Sequence, residues 1–143
     1  MIVALKRVYE PASSVDGVRI LVDRLWPRGL TKADAALKFW LRDIAPSNAL
    51  RQWFHANPEA WSLFRERYLR ELGSSKAAAA LEKLYEIAGT KKKITLLYAS
   101  RNQEQNNATV LKELLEGGRK PPSSVGRGTA RAERIRKSRN IKT

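Results

Sequence analysis

The sequence predicts an α/β fold: a single domain with a mostly parallel sheet and flanking helices, continued by a basic C-terminal tail. Three observations predict it. Apolar runs of strand length, Val18 to Val22 and Ile94 to Ala99, are separated by stretches of helical periodicity. The 143 residues, 43% of them hydrophobic and including four tryptophans, suffice to bury a core. From Arg119 onward, proline, serine, glycine and arginine leave too few apolar groups to pack. The expected division is an α/β domain over 1–117 and a basic, disordered tail over 118–143.

Each element has its own signal. Ile2 to Val8 alternates and is rich in β-branched residues, which suits a strand. Pro11 to Gly17 is a turn, with Ser13, Ser14 and Asp16-Gly17 supplying its chemistry. Val18 to Val22 is a short buried strand, and Pro27 and Gly29 prevent the residues after it from extending it. Residues 18–23 and 94–99 are expected to be inner, parallel strands. Ser47, after Pro46, can cap a helix from about Asn48 to His55. Asn57-Pro58 is a second start signal, for a helix running to Leu72. Trp61, Phe64, Tyr68 and Leu72 form its apolar face, and Gly73 stops it. Ser74 or Ser75 can cap a third helix through Ala88, with Leu81, Leu84 and Ile87 inward and Gly89 as its stop. Lys91-Lys92-Lys93 turns the chain back into the strand Ile94 to Ala99. A polar loop then leads to a helix from about Glu104 to Glu116, with Ala108, Leu111, Leu114 and Leu115 on its inner face.

The net charge is +14, and residues 117–143 hold nine Lys and Arg against one acid, Glu133. Such a tail attracts polyanions, with non-specific nucleic acid binding through residues 119–143 as the first candidate. The plainer reading is a solvated tail that holds anything acidic weakly. Cysteine is absent, which excludes thiol catalysis, iron–sulfur clusters and cysteine zinc sites. The single histidine, His55, excludes multi-histidine metal sites; a metal could still sit among carboxylates, but no clustered spacing suggests one, and neither a metal nor a cofactor is expected. The basic residues at the N-terminus follow a short apolar stretch, the reverse of an export signal, and no apolar run approaches a membrane span. A cytoplasmic protein without membrane contact is expected. The oligomeric state stays open.

The richest stretch is Asp23-Arg24-Leu25-Trp26-Pro27-Arg28-Gly29, directly after a buried strand. Parallel sheets place ligands beyond the carboxyl ends of their strands. Arginine forks grip carboxylate or phosphate, and proline and glycine fix the turn that carries them. Arg24, Trp26 and Arg28 are therefore candidate ligand contacts. Asp23 and Asp43 are candidate catalytic bases, and Tyr98 and Asn107 a far wall. Ser47 is either an anion ligand at a helix N-terminus or a plain cap. His55 has no visible partner. On the structural alternative, Asp23 pairs with an arginine and Trp26 covers the core. No glycine-rich phosphate loop is present.

These residues form a familiar series. Val22 to Leu30, Trp40, Asp43-Ile44-Ala45-Pro46-Ser47, Leu50 to His55, Trp61 to Phe64, Tyr68, Leu96 to Ala99 and Asn107-Ala108 occur in this order. The series resembles the YeaO-like family within domain of unknown function 488, over about residues 2–116. The resemblance implies a cytosolic bacterial α/β protein and implies no particular reaction. Broader relatives resemble enzymes, with a cysteine at the end of the equivalent third strand and a Cys-His-Arg cluster at the next helix. Tyr98 and Asn106-Asn107 stand in roughly those places here, so no thiol or metal chemistry carries over.

Three functions fit. The first is an enzyme or binder for a small anionic ligand, gripped by Arg24 and Arg28. The second is nucleic-acid association through the tail. The third is a protein-interaction module using Trp26, Trp40 and Trp53. Chemistry-capable groups at two strand ends favour the first.

Overall fold

The computed structural model describes residues 1–117. The expected tail over 118–143 lies outside the described residues. Four strands, β1 (Ile2–Arg7), β2 (Val18–Leu21), β3 (Phe39–Trp40) and β4 (Lys93–Tyr98), form one sheet in the order β1-β4-β2-β3. All three pairings are parallel, with Ile2 opposite Lys93, Val18 opposite Ile94 and Ile20 opposite Phe39. The two inner strands are the two apolar runs, as their continuous hydrophobicity requires.

Strand alternation divides the buried residues between two faces. Val3, Ile20, Ile94, Leu96 and Tyr98 pack in one core with α2 (Asn48–Ala56), α3 (Trp61–Glu71), α4 (Ser75–Thr90) and α5 (Asn107–Gly117). Phe54, Trp61, Phe64 and Tyr68 stack through this layer, with Phe54 and Phe64 ring centroids 4.3 Å apart. Val8, Leu21 and Leu97 belong to a second, smaller cluster, closed by the half-buried Trp26, Leu30, Leu37 and Trp40. The one-turn helix α1 (Lys32–Ala35) lies between β2 and β3 and ends on Ala36, in the left-handed conformation at φ 49°.

Several boundaries differ from the expected ones for local reasons. Asn57-Pro58 does not start α3. It opens a turn closed by the Ala60 amide on Asn57 O at 2.9 Å, and the helix begins at Trp61. Gly89 does not stop α4, which continues to Thr90. α5 begins at Asn107 rather than Glu104, because Asn102 Oδ1 draws the Glu104 and Gln105 amides into a turn of their own. Ser47 caps α2 as expected, accepting from the Leu50 amide at 3.1 Å.

Among the described residues, no helix is long and apolar enough to cross a membrane.

Candidate functional site

The segment after β2 is fastened from every neighbouring strand end. Asp23 Oδ2 accepts the Ala99 amide at 2.8 Å, and Oδ1 accepts from Asn107 Nδ2 at 3.1 Å. The same Asn107 amide also donates to Val22 O at 2.9 Å. The ends of β2 and β4 and the start of α5 thus meet at one carboxylate. Trp40 Nε1, at the end of β3, donates to Asp23 O at 2.7 Å. Tyr9, just past β1, donates its hydroxyl to Arg28 O at 3.1 Å. Trp26 Nε1 closes the turn on Leu30 O at 2.7 Å, its ring set edge-on to Trp40 at 5.4 Å. Gly29, at φ 79°, takes the left-handed step that turns the chain there.

The two candidate arginines of this turn are held differently. Arg24 reaches back to the segment before α2, donating from Nη2 to Ala45 O at 3.1 Å and from Nε to Pro46 O at 3.5 Å. Arg28 is exposed, and its guanidinium makes no hydrogen bond or ion pair among the described residues. Arg101, after the neighbouring strand β4, is likewise exposed and unengaged among the described residues.

Burial pushes the Asp23 carboxyl above its ordinary value of 3.8, outweighing the Ala99 amide, the Asn107 amide and the charge of Arg51. A raised folded-state pKa means that the folded chain holds this proton more tightly than the unfolded chain. The stability Asp23 contributes is therefore full below 3.8 and is lost as pH rises through its folded-state pKa. Asp23→Asn is expected to remove that decline from a pH series of urea unfolding midpoints. An unchanged profile would show that Asp23 is not the group titrating.

The remaining candidates are distributed around this edge. Ser47 Oγ donates to Glu71 Oε2 at 2.6 Å, and its amide donates to Glu71 Oε1 at 2.8 Å, while Oγ also caps Leu50. Asp43 lies exposed in a 3₁₀ turn (Arg42–Ile44), with no partner for its carboxylate among the described residues. Tyr98 is buried, and burial and the Glu10 charge raise its hydroxyl against the opposing charge of Arg7. His55 is exposed at the far end of α2. Trp26, Trp40 and Trp53 are all half-buried, with Arg42 over the Trp40 ring and Arg67 over Trp53. The structure brings Asp23 and Asn107 into contact and sets Arg24 against the residues leading into Ser47. Asp43 stands outside that network.

Sequence reasoning missed three participants. Arg51 lies one turn into α2, its amide on Ser47 O at 2.9 Å, and its charge acts on Asp23. Arg7 donates to Ala99 O at 2.8 Å and Ser100 O at 3.0 Å, bridging β1 to the β4–α5 loop. Tyr9 holds Arg28. Position at a strand end or in the first turn of a capped helix was the only available signal for these. The β4–α5 loop itself is closed by its own side chains. Ser100 Oγ takes the Asn102 amide, Asn102 Oδ1 takes two more, and Asn106 Oδ1 takes the Thr109 amide.

A family model described as the inactive DUF488-N3 subclade matches residues 2–123. The uncharacterized protein YeaO of Escherichia coli K12 is 47% identical over 115 residues, which cover 80% of this chain and 97% of that protein. The uncharacterized proteins Rv3073c of Mycobacterium tuberculosis and Mb3100c of Mycobacterium bovis are each 42% identical over 115 residues, covering 80% of this chain and 94% of theirs. No solved structure matches.

Proposed function

The chain belongs to the YeaO-like DUF488 family, on the branch described as inactive, and from that premise we propose that it binds a small anionic ligand without transforming it. The observation that carries the reading is the fastened turn after β2. Its backbone oxygens accept from Tyr9 and Trp40 and its Asp23 carboxylate from Ala99 and Asn107, while the Arg28 guanidinium that it carries is left unengaged among the described residues. Because the backbone is already fixed, taking up a carboxylate or phosphate requires ordering only the Arg28 side chain and not the turn that carries it. Arg101, after the adjacent strand, supplies a second cation.

Binding without turnover fits the state of one of the two candidate bases, Asp23. Both Asp23 oxygens already accept hydrogen bonds, and the Asn107 amide donates twice. The loop amides that would otherwise cradle a developing negative charge are taken up by Ser100, Asn102 and Asn106.

The arginine pair tests the reading. Arg28→Ala is expected to leave stability within about 0.5 kcal/mol of the parent, as an exposed substitution does. It should also abolish stabilisation by inorganic phosphate or malonate, which in the parent reaches about 2.7 kcal/mol at a hundredfold excess over Kd. Arg24→Ala should lower stability by about 1–3 kcal/mol, because the buried Ala45 and Pro46 carbonyls lose their donor. Thermal unfolding with and without each anion reads both effects. A parent protein whose midpoint moves with neither anion, or an Arg28→Ala variant that keeps the full shift, would end this reading.

A further inference from the structure

We propose that the anion taken by Arg28 is borne on a planar aromatic ring, and that Tyr9 supplies the platform on which that ring stacks. The inference rests on the Arg28 reading and adds to it the class of ligand.

Core packing does not account for Tyr9. It stands in the turn after β1, is 40% exposed, and belongs to neither core cluster. Two polar contacts hold it instead. Its hydroxyl donates to Arg28 O at 3.1 Å, and the Arg7 guanidinium lies over its ring, 5.2 Å from the centroid. Arg7 is itself fixed on Ala99 O and Ser100 O, at 2.8 and 3.0 Å. The ring is thus backed by a cation and tethered at its tip. No other ring or cation lies over it among the described residues. With its hydroxyl committed to a carbonyl, what Tyr9 offers a ligand is an aromatic face.

The platform and the cation start from one contact. Tyr9 touches the backbone of Arg28 itself, so the ring and the unengaged guanidinium spring from adjoining points of two chain segments. Charge is divided between them. Glu10, next to Tyr9 in the chain, turns its carboxylate back to the Arg7 amide at 3.2 Å. An acid beside the platform and a cation beyond it favour a ligand whose uncharged ring lies on Tyr9 and whose charge lies at Arg28. A bare inorganic anion leaves the platform unused. An aliphatic anion has Leu25, 58% exposed in the same turn, to cover, but makes no use of a flat face. Flatness is therefore the property that separates Tyr9 from general apolar contact at this edge.

The test is isothermal titration calorimetry of the full chain at about pH 8, where a phosphate monoester is a dianion. Phenyl phosphate is compared with cyclohexyl phosphate, benzoate with cyclohexanecarboxylate, and inorganic phosphate serves as the reference. The members of each pair share their charge and differ in flatness. The flat member of the tighter pair is expected to bind about two- to tenfold more tightly than its cyclohexyl partner. Which pair is tighter tells a phosphate headgroup from a carboxylate. Tyr9→Leu should bring the ratio to one. Tyr9→Phe loses the same hydroxyl tether but keeps the ring, and should retain the ratio. Circular dichroism confirms that both variants are folded. A ratio of one in the parent, with inorganic phosphate still bound, would overturn the proposal and leave the Arg28 reading standing. A preference that survives Tyr9→Leu, or one equally lost in Tyr9→Phe, would overturn it too. Failure of every anion to bind would remove the Arg28 reading and this inference with it.

Discussion

Arg19→Ala is expected to lower the unfolding free energy by about 3–5 kcal/mol, the usual consequence of stripping one partner from a buried ion pair. Arg19 and Asp16 are each 5% exposed, beneath the residues that cover the second face of the sheet. Arg19 Nη1 lies 2.7 Å from Asp16 Oδ2, while Nε and Nη2 donate to Ala35 O at 3.0 and 2.9 Å. Lys6 Nζ donates to both Asp16 oxygens at 3.1 Å, and the Ser13 amide adds a bond at 3.0 Å. Removing Arg19 leaves the Ala35 carbonyl without a donor and Asp16 short of a charge. Urea unfolding measures the loss, and a value under about 1 kcal/mol would mean that water or Lys6 takes over the role.

The same variant has a pH signature. Burial pushes the Asp16 carboxyl up, but the Ser13 amide, Lys6 and Arg19 together hold it below its ordinary value of 3.8. Its contribution is full above 3.8 and is lost as pH falls through the folded-state pKa. Arg19→Ala should therefore move the onset of acid unfolding to higher pH. Asp23 acts with the opposite sign, so the two carboxylates can be separated in one pH series.

Gly17→Ala should cost about 3–5 kcal/mol, combining backbone strain with overpacking. Gly17 sits at φ 66° and ψ −138°, a region that side chains avoid. A Cβ there would also collide with Lys93 O and approach Lys93 C to 2.9 Å. Gly29 separates the two contributions. It shares the positive φ, but a Cβ there meets nothing within 4 Å, so Gly29→Ala should cost only about 1–2 kcal/mol. Equal losses at the two positions in thermal unfolding would remove the collision with Lys93 from the account.

Long, continuous signals were legible in the sequence. Val18 to Val22 and Ile94 to Ala99 became the paired central strands, and Ser47 capped the helix it precedes. Elements that depend on distant partners were not legible. β3 is only Phe39-Trp40, too short to carry a period, and exists because β2 offers an edge. Asn57-Pro58 has the chemistry of a helix start, and the tertiary structure uses it in a turn. Arg19 lies within an apolar run, and nothing local announces that Asp16, Lys6 and Ala35 will surround it. The turn after β2 was visible as a place where polar chemistry gathers. Its anchoring was not, because Asp23 meets its partners 76 and 84 residues further along.

The strand order also sets when the sheet can exist. β1 has one neighbour, β4, whose first residue lies opposite Ile2 in the register only at position 93. β2 can reach β3 early, through just two residue pairs, but its main partner is again β4. A ribosome synthesising the chain from its N-terminus therefore releases β1 and β2 long before anything can pair with them. The helices α2 to α4 can form locally in the meantime, since their contacts are short in sequence. Closing so long a loop carries an entropic penalty before any strand contact rewards it. Folding of this sheet is thus a late event in synthesis, and it rests on the arrival of the six residues of β4.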